Sequence, residues 1–259
     1  FPFTGNVVLA TLNISDPANP QIIHQQTLDR AARGVDHVTT LDNGLYAIAN
    51  LGAPSDKPGL FIVDASDPNN LGIGGIDAPA GINELIGGNG SIFTTDGASL
   101  IVYAVPSKNP LTLVGHVPIS AGLRGVAARG NIAYASGTTG IQIIDYSDPE
   151  NPTIVGTIPG NHLGARIQDN VLLALRPEGR SFYVDVYALQ NTPLAPPLIG
   201  SSPLIRYDLA FDLTSNSTHA FVSTVNDCYF LGSNDIYRQL GDQLAIKLNL
   251  DSIDNPTTA

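Results

Sequence analysis

Nine arginines stand in this sequence, and three of them, Arg124, Arg166 and Arg206, fall at matching places in a recurring pattern. The same places carry Asp36 and His37, Asn83 and Glu84, His162, and Asp208. Arginine presents a planar fork of donors that matches carboxylates and phosphates, and beside carboxylates and imidazoles it equips a site to hold an anionic or sugar-like ligand. The plainer reading, and the favoured one, is that these charges pair with one another. The rest of the reactive inventory is thin. The five histidines, His24, His37, His116, His162 and His219, show no H-E-x-x-H or H-x-H spacing, so a metal trio would have to be drawn from distant segments. Asp64, Asp145 and Asp185 recur, but no D-x-D-x-D run gathers the six to eight oxygens that calcium takes. Their expected work is to cap turns, and neither a metal nor another cofactor is expected.

Other motifs fail on context. Gly87-Gly88-Asn89-Gly90-Ser91 lacks the following helix and lysine of a phosphate loop. No G-x-S-x-G elbow occurs. Cys228 is the single cysteine, either a free, partly buried thiol or half of a bridge to a partner or another segment. Three N-x-S/T sequons begin at Asn13, Asn89 and Asn216. Asn13 sits where other copies of the pattern carry a turn-setting aspartate. Asn89 and Asn216 fall in expected turns, where a glycan can project in a source that glycosylates.

What positions these residues is a repeat. LATLNISDPANP (9–20) returns as LFIVDASDPNNL (60–71) and IQIIDYSDPENP (141–152), with weaker copies at 100–110, 182–193 and 244–256. The copies end at Pro20, Leu71, Pro110, Pro152, Pro193 and Pro256, so the spacings are 51, 39, 42, 41 and 63. A period near 42 is about the length of one propeller blade. Within 122–160 the period splits into four strands: Gly122 to Arg129, Ile132 to Ala135, Ile141 to Asp145 and Thr153 to Ile158. Turn residues at that spacing signal an all-β fold. The strongest helical pattern, Asp235 to Leu240, is too short to carry weight.

Each pentapeptide is nearly all apolar, as expected of a strand packed on both faces. It closes on an amide or acid: Asn13, Asp64, Asp145 and Asn249. Such side chains accept bonds from the next backbone amides and set the turn. The pentapeptides Leu60 to Asp64 and Ile141 to Asp145, followed by Ser-Asp-Pro, resemble the LVIVD repeat family, as does Gly130 to Ala135 in a first-to-second-strand segment. The resemblance covers nearly the whole chain. It implies a β-propeller of four-stranded blades, mostly in secreted or surface-attached prokaryotic proteins, and it implies no reaction.

The register places five to six blades in a single domain, or part of one, over residues 1–259. The first copy holds only third and fourth strands and the last only its first three, so the chain starts and ends in mid-blade. In a ring, the starts of first strands converge on one mouth of the channel, which is where the Asp36 to Asp208 set would meet. Incomplete blades also imply a partner: a protein, a further segment of the same polypeptide, or further copies forming an oligomer or polymer.

Composition excludes several classes. Twelve basic against 23 acidic residues give a net charge of −11, which argues against nucleic acid as the partner. No apolar run approaches the ~20 residues of a membrane-spanning helix. One cysteine cannot build a disulfide framework. The expectation is an extracellular or cell-surface propeller acting as a structural, adhesion or binding module. The rival is a hydrolase or lyase using the channel mouth, and the enzyme reading is the less favoured.

Overall fold

The structure, a computed structural model, describes residues 7–28, 37–41, 44–49, 60–76, 84–88, 91–95, 99–104, 112–119, 122–179, 181–202, 205–206, 209–215, 219–225 and 244–249. Among these residues lie 22 β-strands and no α-helix. The chain divides into two compact units, one built mainly from residues 1–123 and one mainly from 124 onward, with 128–131 and 145–153 belonging to the first.

In the first unit, β1 (Val7–Asn13) and β2 (Gln21–Leu28) form a two-stranded antiparallel sheet. Next come β3 (His37–Thr40), β4 (Leu45–Ala49), β5 (Leu60–Asp64) and β6 (Gly72–Ile76), hydrogen-bonded in chain order as a four-stranded meander. A second meander follows the same order through β7 (Glu84–Gly88), β8 (Ser91–Thr95), β9 (Ser99–Ala104) and β10 (Thr112–Pro118). The apolar pentapeptide has its physical reason here. Along β5, Leu60 and Ile62 pack with Ile92, Ile101 and Tyr103 of the next sheet, while Phe61 and Val63 pack with Leu71 and Leu9 on the other side. A strand buried on both faces loses polar alternation, and each such side chain contributes roughly 1.5–3 kcal/mol by leaving water.

The second unit repeats the plan. β11 (Leu123–Arg129), β12 (Ile132–Gly137), β13 (Gly140–Asp145) and β14 (Thr153–Pro159) form one sheet in chain order, matching the sequence expectation to within two residues at each end. β15 (Gly164–Gln168), β16 (Val171–Glu178), β17 (Ser181–Ala188) and β18 (Leu198–Ser201) form the next. β20 (Leu209–Ser215), β21 (His219–Val225) and β22 (Leu244–Asn249) make a three-stranded sheet. Tyr134, Ile141, Ile143, Leu172, Ala174 and Tyr187 close the core between the first two of these sheets.

One element departs from the expected register. β19 (Ile205–Arg206) pairs with Ser181 and Phe182 of β17. β18 covers only Asp185 to Tyr187 of the eight-residue β17, so the start of β17 stays open until the chain returns to it beyond Ser202. Arg206 therefore lies on the outer edge of the β15–β18 sheet. It does not open the first strand of the following sheet, which is β20.

Candidate functional site

The recurring acids turn out to be architecture. Oδ1 of Asn13, Asp64 and Asp145 accepts the amide N–H of Ser15, Ser66 and Ser147 at 2.9, 2.9 and 2.8 Å. A second ring of bonds follows at once, and the sequence reading missed it. Asp16, Asp67 and Asp148 accept the amides of Ala18, Asn69 and Glu150 at 3.1, 3.0 and 3.1 Å. Their carbonyls then accept the amides of Asn19, Asn70 and Asn151. Between each second cap and the amide it binds stands proline (Pro17, Pro68 and Pro149), which has no N–H to satisfy. The signal was present as the repeated Ser-Asp-Pro itself. The hydroxyl and amide of Ser66 together hold the Asp64 carboxyl below the usual aspartate range. Asn249 ends β22 opposite His219, at the register expected of a fourth such cap. Its turn lies outside the described residues.

Asp185 is a correction. The residue after the cap donates its amide to the turn before the second strand: Ala65 to Gly44, Tyr146 to Asn131, and Leu189 to Asn170. By that register Ala188, not Asp185, holds the capping place, and the copy at 182–193 has no side-chain cap there. Asp185 instead lies inside β17, nearly fully buried. It accepts Nε of Arg176 at 2.6 Å, Nη2 of Arg176 at 3.2 Å and the hydroxyl of Ser201 at 2.6 Å. The Arg176 guanidinium lies 4.3 Å over the ring of Tyr183, and its Nη1 is 3.8 Å from Glu178. The Asp185 hydrogen bonds raise the Arg176 pKa further. This is the most polar buried group among the described residues, and every charge in it is matched.

The proposed ring is met in pieces. Asp36, Asn83 and Asp208 lie outside the described residues, as do Asn89, Asn216, Cys228 and the segment 235–240. His37 and Glu84 open β3 and β7, which lie side by side in the first unit. In the second unit, a Cβ on Gly125 would stand 3.5 Å from Gly164 Cα, so β11 and β15 approach closely at their starts. That brings the segments of Arg124 and Arg166 together; Arg124 is exposed and Arg166 half-buried. Arg166 Nη1 donates to the carbonyl of Ala165 at 3.3 Å. His162 does not join them at a surface. It is fully buried (0% exposed), a second correction to the ligand-binding reading. Its amide donates to Gly137 at 2.9 Å, and Nδ1 lies 3.1 Å from the carbonyl of Gly160. Burial lowers its pKa, so the ring is neutral near pH 7. Of the other histidines, His116 is exposed on β10, and His24 is half-buried on β2. Among the described residues no group of three or more His, Cys, Asp or Glu is placed to hold a metal.

Four-stranded meanders, stacked with each third strand buried on both faces, define an all-β protein of the β-propeller class. Solved structures agree on that fold. A functionally unknown protein from Desulfotomaculum acetoxidans DSM 771 has a TM-score of 0.57 at 17% identity, over 84% of this chain and 75% of its own. The Neurospora crassa Pan2 WD40 domain has 0.53 at 9% identity, over 85% of this chain and 63% of its own. Kluyvelomyces marxianus Hsv2 has 0.53 at 13% identity, over 80% and 64%. The chain thus spans a little under two thirds of the latter two. Within this class the particular repeat is identified: residues 123–159 match the LVIVD repeat family. No curated protein matches the chain significantly in sequence.

Proposed function

We propose that this chain is a non-enzymatic propeller module of five to six blades, acting as a structural, adhesion or binding platform outside the cell or at its surface. The observation that carries the reading is where the polar residues go. The repeated acids are committed to turns, Asp185 to Arg176 and Ser201, and His162 to the core. These are the acids and the buried imidazole on which the rival reading, a hydrolase or lyase, would otherwise draw.

A partner surface is proposed on the β1–β2 sheet. One face carries Leu9 against Ile48, Phe61 and Val63. On β1 the other face shows Val8 (52% exposed) and Leu12 (48%), and Ile22 (58%), paired with Leu12, continues it on β2. Among the described residues β1 hydrogen-bonds only to β2, whereas the complete sheets have four strands. An apolar face beside an open strand edge favours added strands. They would come from a protein partner, a further segment of the polypeptide, or another copy. The test is sedimentation of the full-length product beside its Val8→Lys/Leu12→Lys form. Loss of a defined complex in the variant, with unchanged circular dichroism, is expected. Identical behaviour of the two would remove the partner surface. Protease treatment of intact source cells tests the placement: protection of the protein would refute exposure at the surface.

A further inference from the structure

We propose that His162 is an acid-sensitive lock that holds the connection 160–163 onto the β11–β14 sheet while its imidazole is neutral and lets it go when the ring is protonated. The connection is pinned at three points. The His162 amide donates to Gly137, where β12 ends; the Leu163 amide donates to Leu175 of β16 at 2.8 Å; and Nδ1 lies against the Gly160 carbonyl. The ring is fully buried, set edge-on to Tyr187 with centroids 6.5 Å apart, and its Nε2 finds no hydrogen-bond partner.

A neutral ring tolerates this placement: Nδ1–H donates to Gly160, and the bare Nε2 lone pair costs little beside an aromatic edge. An imidazolium does not. Protonation places an N–H with no acceptor, and a full charge, in a dry core. The charged groups acting on the ring are Asp185 of β17 and Arg176 of β16, and the titratable group facing it is Tyr187. Asp185 is the only anion of the three, and it is already engaged twice by Arg176 and once by Ser201. It could serve the imidazolium only by giving up those bonds, and the cation of Arg176 opposes the new charge. Burial is the largest influence on the ring and acts in the same direction. The way out is built in. The connection opens on Gly160, whose left-handed φ of 112° is a conformation that glycine adopts without strain.

Release should begin below the unfolded histidine value of about 6.5, because there the open form binds a proton that the closed form refuses. The experiment is hydrogen exchange by NMR on the full chain from pH 7.5 to 5, corrected for intrinsic exchange. Protection of the His162 and Leu163 amides should fall by close to tenfold per pH unit below about pH 6.5. His162→Gln, neutral at all these values, should abolish the slope, and His116→Gln on exposed β10 should leave it intact. The His162 ring signal in the wild-type chain gives an independent reading. A ring that titrates at the ordinary value while both amides stay protected overturns the proposal. So does a slope that survives in His162→Gln, or no slope in the wild-type chain.

Discussion

Two glycines test how each repeat is fixed to the one before it. Gly115 on β10 and Gly156 on β14 lie 156 − 115 = 41 residues apart, one repeat period. A Cβ on Gly156 would stand 2.8 Å from the carbonyl oxygen of Leu194 and 3.3 Å from Cδ1 of Ile143. A Cβ on Gly115 would meet the carbonyl of Pro149 closer still, and Pro152 Cδ at 2.7 Å. In both places the turn after the following third strand rests a carbonyl on the preceding fourth strand. For Gly156→Ala, restoring ordinary contact at 3.4 Å requires 3.4 − 2.8 = 0.6 Å of movement. The obstacle is backbone, and that turn is tied on both sides of Leu194. The phenol of Tyr134 donates to Pro193 at 2.8 Å, and the Ala195 amide donates to Thr192 at 3.1 Å. Overpacking of this kind costs about 1–3 kcal/mol, offset by roughly 0.4–1 kcal/mol from a less flexible unfolded chain. The expected net loss is about 1–2 kcal/mol for Gly156→Ala, and about 2–2.5 kcal/mol for Gly115→Ala, whose overpacking sits at the upper end of that range. Gly164→Ala, with nothing within 4 Å of its Cβ, is the control and should be neutral or slightly stabilising. Thermal unfolding reads these differences at about 2–4 °C per kcal/mol. If Gly156→Ala melts with Gly164→Ala, the turn is not seated on β14 and this account of repeat docking is wrong.

Three further outcomes follow from the polar geometry. Asp145→Ala should cost about 0.5–2 kcal/mol in urea unfolding, as loss of a local cap does. The Asp64 carboxyl should titrate below 3.8 by NMR, and Ser66→Ala should move it back toward that value. Because its folded value is depressed, its share of stability is present above about pH 3.8 and is lost as pH falls through the folded value. Arg176 and Asp185 should respond unequally. Arg176→Ala strands a buried carboxylate and should cost about 2–4 kcal/mol, whereas Asp185→Ala leaves an arginine whose side chain is 33% exposed and can reach water, and should cost less. Equal losses in unfolding experiments would contradict the asymmetry of burial.

The sheets were legible because short-range chemistry marks them. Gly130-Asn131 and Ser147-Asp148-Pro149 fix where β11–β14 turn, and apolar runs fill the gaps. Aspartate at the close of a pentapeptide likewise announces its own turn, since the amide it binds is two residues away. Position 185 misled because aligning the copies on Pro193 sets Val186 opposite Asp64 and Asp145, two residues short of Ala188, and the acid stands directly beside it. Arg206 failed for a different reason: a strand of two residues has no period to read. The burial of His162 and the bidentate pairing of Asp185 depend on what packs across from them, which no local spacing encodes. The glycines on fourth strands were visible as a repeated apolar-Gly pair, yet their reason appears only once a carbonyl is seen against them.

The same comparison says where a specific function has room to reside. Residues that recur from sheet to sheet are consumed by packing, by turns and by the seating of one repeat on the next. Recognition therefore has to come from positions at which the copies differ. By the register of the backbone bonds, Asp185 corresponds to Gln142 of β13 and Phe61 of β5, and Arg176 corresponds to Gly137 of β12. The buried acid at one place depends on the long cation at the other, because a carboxylate left unpaired in that interior is costly. Arg176 and Tyr183 are partly exposed, whereas Gly137 and Gly140 at the equivalent places are buried. Arg124 and Arg166 also stand apart, because the first strands β3 and β7 open on His37 and Glu84. What differs between the copies is charge and where it is placed, and what they share is the apolar body that holds the strands together.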